Sequence, residues 1–346
     1  MEATVVKNAG SHYLLSHLPE WAPFPAVLRG KVRLERSGAT NPVAVGDRVR
    51  YEIPDQVGND VRRIGNNVGG SGNDVRKSGN DVQGDDILRH SRLDRESPAV
   101  ITEVLPRSNY LIRKSTNLSR QSHVIAANLD RAILVVTLYF PEIKLPFLDR
   151  LLVTCEVYGV QPVIVLNKLD LYRELAPEQI EEFCDIYRGA GYTVLECSAL
   201  TGEGIDSLRA LCSSGTSLLS GESGVGKSSI IRALDPSLNP RVGLISEAHL
   251  QGKHTTSLYE MYPLQSGGFI VDTPGLRGFG LVDLEKEEIS KYFPEMLRVA
   301  DNCRFIPCTH THEPGCAVKQ ALEDGLISPE RYNSYLGMLE EDKKFR

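Results

Sequence analysis

The segment Gly221-Glu222-Ser223-Gly224-Val225-Gly226-Lys227-Ser228, with Ser229 behind it, follows the apolar run Thr216–Ser220 and opens a helical pattern at Lys227. It matches G-x-x-x-x-G-K-[ST], the pattern of a phosphate-binding loop. Its glycines let backbone N–H groups turn inward around phosphate oxygens. A lysine at the Lys227 position reaches the β- and γ-phosphates, and a hydroxyl at the Ser228 position ligates Mg²⁺. The chemistry implied is cleavage or transfer of a nucleotide phosphoryl group, with Lys227 as a catalytic cation.

Asn167-Lys168-Leu169-Asp170 ends another apolar run. Asp170 can accept hydrogen bonds from the guanine N1–H and 2-amino groups. Adenine offers neither donor and would leave a desolvated carboxylate unpaired, at a cost of at least ~1–3 kcal/mol. Ser198-Ala199, after Val194–Cys197, would back the guanine with main-chain N–H groups. Asp272-Thr273-Pro274-Gly275 follows Phe269–Val271; Asp272 would hold Mg²⁺ through water and the Gly275 N–H would meet the γ-phosphate. Gly252-Lys253-His254-Thr255-Thr256 lies between the phosphate loop and Asp272, where a switch threonine, Thr255 or Thr256, should close over Mg²⁺. Each short piece says little alone. Five in compatible positions describe a GTP site, with GTP and GDP as ligands and Mg²⁺ as cofactor.

The order is informative. In ordinary GTPases the phosphate loop comes first and the guanine tetrapeptide late; here Asn167 precedes Gly221 and Asp272 comes last. The same sheet must therefore be wired from a different starting strand, a circular permutation that is structurally cheap where domain termini lie close together. The segment after Asp272 then runs directly into the C-terminal region, which nucleotide state could reposition without a long relay. Leu276 follows Gly275 where many GTPases place a water-orienting glutamine. An apolar side chain cannot do that; His254 is the available substitute, or a partner positions the water.

A second constellation, Cys303-x4-Cys308-x-His310-x5-Cys316, brings three thiolates and one imidazole within 14 residues. That donor set suits one tetrahedral structural Zn²⁺ with no open position for catalysis. His312 competes for the fourth place, and His310 is preferred. The other cysteines, Cys155, Cys184, Cys197 and Cys212, are scattered through strand-like and helix-like segments, the pattern of buried reduced thiols and not of a disulfide framework.

The elements that must position these groups can be sketched. From about residue 128 apolar runs alternate with helical patterns: strands at Arg131–Leu138, Val160–Leu166, Tyr192–Cys197, Thr216–Ser220 and Gly268–Val271, and helices at Pro146–Tyr158, Pro177–Ala190, Gly204–Cys212 and from Lys227. Such βα alternation implies a mostly parallel sheet covered by helices. Earlier, Ala26–Arg33, Arg48–Ile53 and Ala99–Leu105 alternate with period two around a turn at Gly46-Asp47, which reads as a small all-β, OB-like barrel. Between its strands, Gly58-Asn59-Asp60-Val61 recurs at Gly65, Gly72 and Gly79; residues 55–86 read as an inserted low-complexity loop. After about 280 the chain reads as helical apart from the Cys/His loop. The expected domains are a barrel at 1–115, an α/β nucleotide domain at 116–280 and a helical metal-binding domain at 281–346.

The net charge of −6 argues against a surface that coats nucleic acid throughout, but it is uneven. Residues 1–115 hold 17 Lys and Arg against 14 Asp and Glu, a basic module on an acidic body that is compatible with local RNA contact. No apolar run approaches the ~18 residues of a membrane span, so no membrane association is expected. Residues Met1–Thr4 do not begin a signal peptide, and the cytoplasm is the expected location.

Taken together, the permuted order Asn167–Asp170, Ser198-Ala199, Gly221–Ser228, Gly252–Thr256, Asp272–Gly275 and the Cys/Cys/His/Cys cluster resembles the ribosome small subunit-dependent GTPase A (RsgA, or YjeQ) family. The resemblance covers the chain except 55–86. It implies an OB barrel, a permuted GTPase domain and a zinc domain. It also implies GTP hydrolysis in late maturation of the small ribosomal subunit, stimulated by that subunit and its rRNA, by a protein expected to be a monomer. A nucleotide-gated RNA-binding module whose hydrolysis is incidental is one alternative. A metabolic P-loop kinase is another, and Asn167–Asp170 argues against it.

Overall fold

The period-two segments form strands at Phe24–Leu28, Arg48–Glu52 and Ala99–Val104, whose inward residues close a barrel; residues 30–33 of the first run lie outside the described residues. The computed structural model describes residues 1–10, 12–29, 42–54, 98–114, 122–238, 259–272 and 284–341. Strands β1 (Glu2–Ala9), β2 (His12–Ser16), β3 (Phe24–Leu28), β4 (Arg48–Glu52) and β5 (Ala99–Val104) pair in the order β1-β2-β3-β5-β4, and β4 returns to β1. In β4 Val49 and Tyr51 point inward and Arg48, Arg50 and Glu52 outward. Among the described barrel strands only the β3–β5 pair is parallel, and the return of β4 to β1 closes the ring, as in OB-like barrels.

β1 and β2 escape a reading by alternation for a physical reason. The β1–β2 register shifts between Val5 and Lys7. Val5 then packs in the barrel core while its neighbour Val6 packs in the core of the next domain. A strand buried on both faces, with a bulge, does not alternate. The expected turn at Gly46-Asp47 is present. Gly46 has φ +87°, and a Cβ there would lie 2.0 Å from the Ala127 carbonyl oxygen. The buried Asp47 carboxylate receives both arms of Arg107 at 2.6 and 2.7 Å and the Ala44 N–H at 2.8 Å. A hairpin, β6 (Tyr110–Lys114) and β7 (Ser122–Ala127), follows the barrel.

The second domain is built on the parallel strands β8 (Arg131–Val136), β9 (Gln161–Leu166), β10 (Thr193–Glu196), β11 (Thr216–Ser220) and β13 (Phe269–Asp272), in the order β10-β9-β8-β11-β13, with β12 (Tyr259–Pro263) antiparallel beside β13. Both faces are covered, so the strands read as continuous apolar runs. In β8, Ala132, Leu134 and Val136 face α1 (Leu145–Val157) and α3 (Pro177–Ala190). Ile133 and Val135 face α4 (Ile205–Cys212) and α5 (Lys227–Leu234). Proline near the start of α1 and α3 suits the first helical turn, and Gly191 at φ +107° ends α3. A short turn of helix, α2 (Leu169–Tyr172), sits between β9 and α3. β12 also pairs with β1 at Lys7–Glu260 and Asn8–Tyr259, so barrel and nucleotide domain share one eleven-stranded sheet.

The C-terminal region is helical as expected: α6 (Lys286–Ile289), α7 (Pro294–Ala300), α8 (Ala317–Glu323) and α9 (Pro329–Glu341). Its core of Phe293, Met296, Val318 and Tyr335 includes Val153 from α1. Among the described residues no helix is long and apolar enough to cross a membrane. The repeat at 55–86 lies outside the described residues.

Candidate nucleotide site and metal centre

Parallel strands end at one edge of a sheet, and loops at that edge are where doubly covered sheets bind ligands. Every described nucleotide motif emerges there: Asn167–Asp170 after β9, Ser198-Ala199 after β10, Gly221–Ser228 after β11 and Asp272 at the end of β13. The phosphate loop needs its glycines. Gly221 and Gly226 have φ +150° and +100°. A Cβ would lie 2.3 Å from the Val135 carbonyl oxygen at Gly221 and 2.4 Å from the Asn167 amide nitrogen at Gly226.

One side chain ties three motifs together. The buried Asn167 donates its Nδ2–H to the Val225 carbonyl at 2.8 Å and accepts the Ala199 N–H on Oδ1 at 3.1 Å. The Ser198 hydroxyl donates to Asp170 Oδ1 at 2.5 Å, aligning a carboxylate that is otherwise exposed. Lys227 donates to the Gly221 and Glu222 carbonyls, both at 2.7 Å. Burial pulls the Lys227 pKa below the usual lysine value, against Asp272 and Glu222, which raise it. The loop thus cradles a partly desolvated cation, whose charge an anionic phosphate would neutralise. His254, Thr255, Thr256, Gly275 and Leu276 lie outside the described residues.

The second constellation also converges. The donor atoms of Cys303, Cys308, His310 and Cys316 lie within 4.8 Å of one another. Cys303 Sγ is 3.9 Å from Cys316 Sγ and 3.6 Å from His310 Nδ1, which is 3.4 Å from Cys316 Sγ. A tetrahedral ion with bonds of about 2.3 Å to sulfur and 2.0–2.1 Å to nitrogen spaces S···S at about 3.8 Å and S···N at about 3.5 Å. The residues therefore fit such a metal. His312 is exposed and bonds Thr311, outside the cluster. Glu313 stiffens the turn, accepting from Thr309 N and Oγ1 and from Thr311 N.

Comparison with known proteins follows the same lines. Residues 104–282 match the family model described as RsgA GTPase. The chain is 40% identical to the small ribosomal subunit biogenesis GTPase RsgA of Bacteroides fragilis, covering all of this chain and 99% of that protein. Identity is also 40% to the protein of the same name from Flavobacterium psychrophilum, over 99% of this chain and 93% of that one. The chain belongs to the RsgA GTPase family.

Among solved structures, YjeQ from Thermotoga maritima superposes with a TM-score of 0.69 at 31% identity, covering 98% of this chain and 97% of that one. YloQ, described as a circularly permuted GTPase, gives 0.65 at 25% identity over 100% and 96%. As an RsgA GTPase the chain is a GTP hydrolase, and its strand order carries the permutation that its motif order implied. The cluster of cysteines and histidine fits a zinc-binding domain. Sequence reasoning missed the loop Thr137–Lys144 after β8, which packs against both the guanine tetrapeptide and the phosphate loop. The hydrogen bonds it accepts from Lys168 and Tyr172 run to backbone carbonyls, which leave no residue-type signature.

Proposed function

We propose that this GTPase assists late maturation of the small ribosomal subunit, works as a monomer, and turns over faster when that subunit and its rRNA are bound. The relation to proteins named for small-subunit biogenesis, at 40% identity over the whole chain, carries the reading. Asp170, with Asn167, Lys168 and Leu169, takes the guanine, and Ser198 and Ala199 back it. Gly221–Ser229 wrap the phosphates, with Lys227 on the β- and γ-phosphates, and Asp272 and Gly275 complete the γ-phosphate end. Ser228 and either Thr255 or Thr256 hold Mg²⁺, which neutralises charge between the phosphates. His254 orients the attacking water in place of the glutamine that Leu276 replaces.

In the C-terminal domain Cys303, Cys308, His310 and Cys316 hold one Zn²⁺ for structure. The domain limits are 1–115, 116–280 and 281–346. The decisive experiment measures GTP turnover of the full chain with and without purified small subunits, over a range of salt. Turnover should be slow alone and rise with subunits, and the stimulation should fall with salt as phosphate contacts are screened. A rate that small subunits leave unchanged would sink the proposal.

A further inference from the structure

Three successive carbonyls in the loop after β8 each accept a hydrogen bond from a side chain. The Tyr139 carbonyl accepts from the Tyr172 hydroxyl, the Phe140 carbonyl from Lys168 Nζ at 2.5 Å, and the Pro141 carbonyl from Thr137 Oγ1 at 2.8 Å. Two of these donors belong to the segment that starts with the guanine tetrapeptide. Lys168 lies within it, and Tyr172 ends the helical turn α2 that follows. Tyr172 is buried, and its ring meets Tyr139 edge-on at 5.8 Å. The same loop touches the phosphate loop: a Cβ on Gly224 would lie 3.6 Å from Pro141 Cδ.

The backbone here is held where it would not rest by itself. Phe140 has φ +57° and Lys168 φ +68°, left-handed values that neither side chain favours. Such conformations persist where surrounding contacts over-determine them, and they cluster at binding sites. The Phe140 ring does no packing that would explain the strain, being 80% exposed. What the conformation achieves is to aim the Phe140 carbonyl at Lys168. Without that acceptor the lysine would be a flexible cation free to follow solvent. With it, the lysine is tethered to the loop after β8.

We propose that Tyr172 is a positioning residue for guanine recognition: its hydroxyl holds the 139–141 carbonyls in place, and these hold Lys168 along the base. The proposal rests on the reading that Asn167–Asp170 takes guanine. Loss of the Tyr172 hydroxyl lets the loop relax, and Lys168 loses its anchor. Guanine nucleotides then bind less tightly in ground and transition states alike, so affinity falls while the chemical step is untouched.

The test is Tyr172→Phe in the full chain, with the affinity for a fluorescent GDP derivative measured alongside KM and kcat for GTP. The dissociation constant and KM should rise about 3- to 10-fold, the loss of one hydrogen bond, with kcat within about 2-fold. In a Lys168→Ala background the same change should weaken GDP binding less than about 2-fold, since the anchored group is gone. Unchanged affinity in Tyr172→Phe overturns the proposal, as does an equal loss in the Lys168→Ala background. A wild-type chain that binds ADP as tightly as GDP would overturn the guanine reading and this inference together. Selective GDP binding with an indifferent Tyr172→Phe overturns the inference alone.

Discussion

Asn167 shows how one short side chain organises this site. Its amide spans the Val225 carbonyl in the phosphate loop and the Ala199 N–H after β10. The segments that carry Asn167, Ala199 and Val225 are thereby held in one frame. Ser198 orients the Asp170 carboxylate, to which the proposed function assigns the choice of base. Asp170→Asn should lower GTP affinity by about 10- to 100-fold, following loss of a charged acceptor worth ~1.5–3 kcal/mol, and should relax the preference for GTP over ATP. A competition titration against ATP checks this, and undiminished discrimination would refute the role. The tetrapeptide was readable from residue types because guanine demands a carboxylate acceptor. The Tyr172 contact was not, because a tyrosine that donates to a carbonyl 33 residues away looks like any core tyrosine.

At the scale of elements, the C-terminal helices are anchored on the nucleotide domain by a buried cation. Arg331 on α9, 1% exposed, donates to Asp149 on α1 at 2.7 Å and to Glu295 on α7 at 2.7 and 3.2 Å. Its guanidinium lies 4.6 Å from the Phe293 ring centre, and Tyr187 on α3 donates to the same Asp149 oxygen at 3.0 Å. Any nucleotide-driven repositioning of the C-terminal region would have to break this cluster. Arg331→Ala leaves two buried carboxylates without their cation and should cost about 3–5 kcal/mol. Burial already holds the Asp149 pKa above the usual carboxylate value, despite Arg331 and Tyr187. A carboxyl whose folded pKa lies above its unfolded one takes up a proton on folding, so its contribution weakens as pH rises through that window. The deficit of Arg331→Ala should therefore be larger at pH 8 than at pH 5.5 in denaturant titrations. Equal deficits at both would show that the charge is not the cause.

The metal loop is the second device at this scale. Cys303 and Cys316 are buried in the same core as Phe293 and Tyr335, so a metal held there would couple its binding to helix packing. Cys308→Ser should lower zinc content below one per chain and reduce the melting temperature, read by metal analysis and thermal melting. Wild-type zinc content in that variant would remove Cys308 from the ligand set.

For the whole molecule, the shared sheet is the main result. β1 closes the barrel through β4 and joins the nucleotide domain through β12, so two cores meet at Val5 and Val6. The half-exposed Lys7–Glu260 pair at 3.0 Å adds little stability, and the join rests on backbone pairing and apolar burial. β4 and β5, which flank the repeat in the chain, are neighbouring antiparallel strands. Deleting residues 58–82 shortens the chain between them, and loop-closure entropy changes by less than about 1 kcal/mol on such a change. GTP turnover and the melting temperature should both stay near wild type. A large loss of folded protein would show that the repeat is structural.

The motifs, their permuted order, the βα alternation and the Cys/His donor set were determined by the sequence alone. Each depends on local demands: glycine where a backbone must turn, a carboxylate for guanine, thiolates for a soft cation, and apolar runs for strands covered on both faces. Tertiary structure decided what depends on residues far apart in the chain. β1 carries no alternation because its two faces serve two different cores. Arg331 reads as a surface arginine until 182 residues of chain bring Asp149 beside it. The left-handed Phe140, with no side-chain role to mark it, acquires a purpose only when Lys168 and Tyr172 arrive from the neighbouring strand end. Patterns of residue type report the needs of a ligand or a local fold, whereas a carbonyl's partner is set by packing alone.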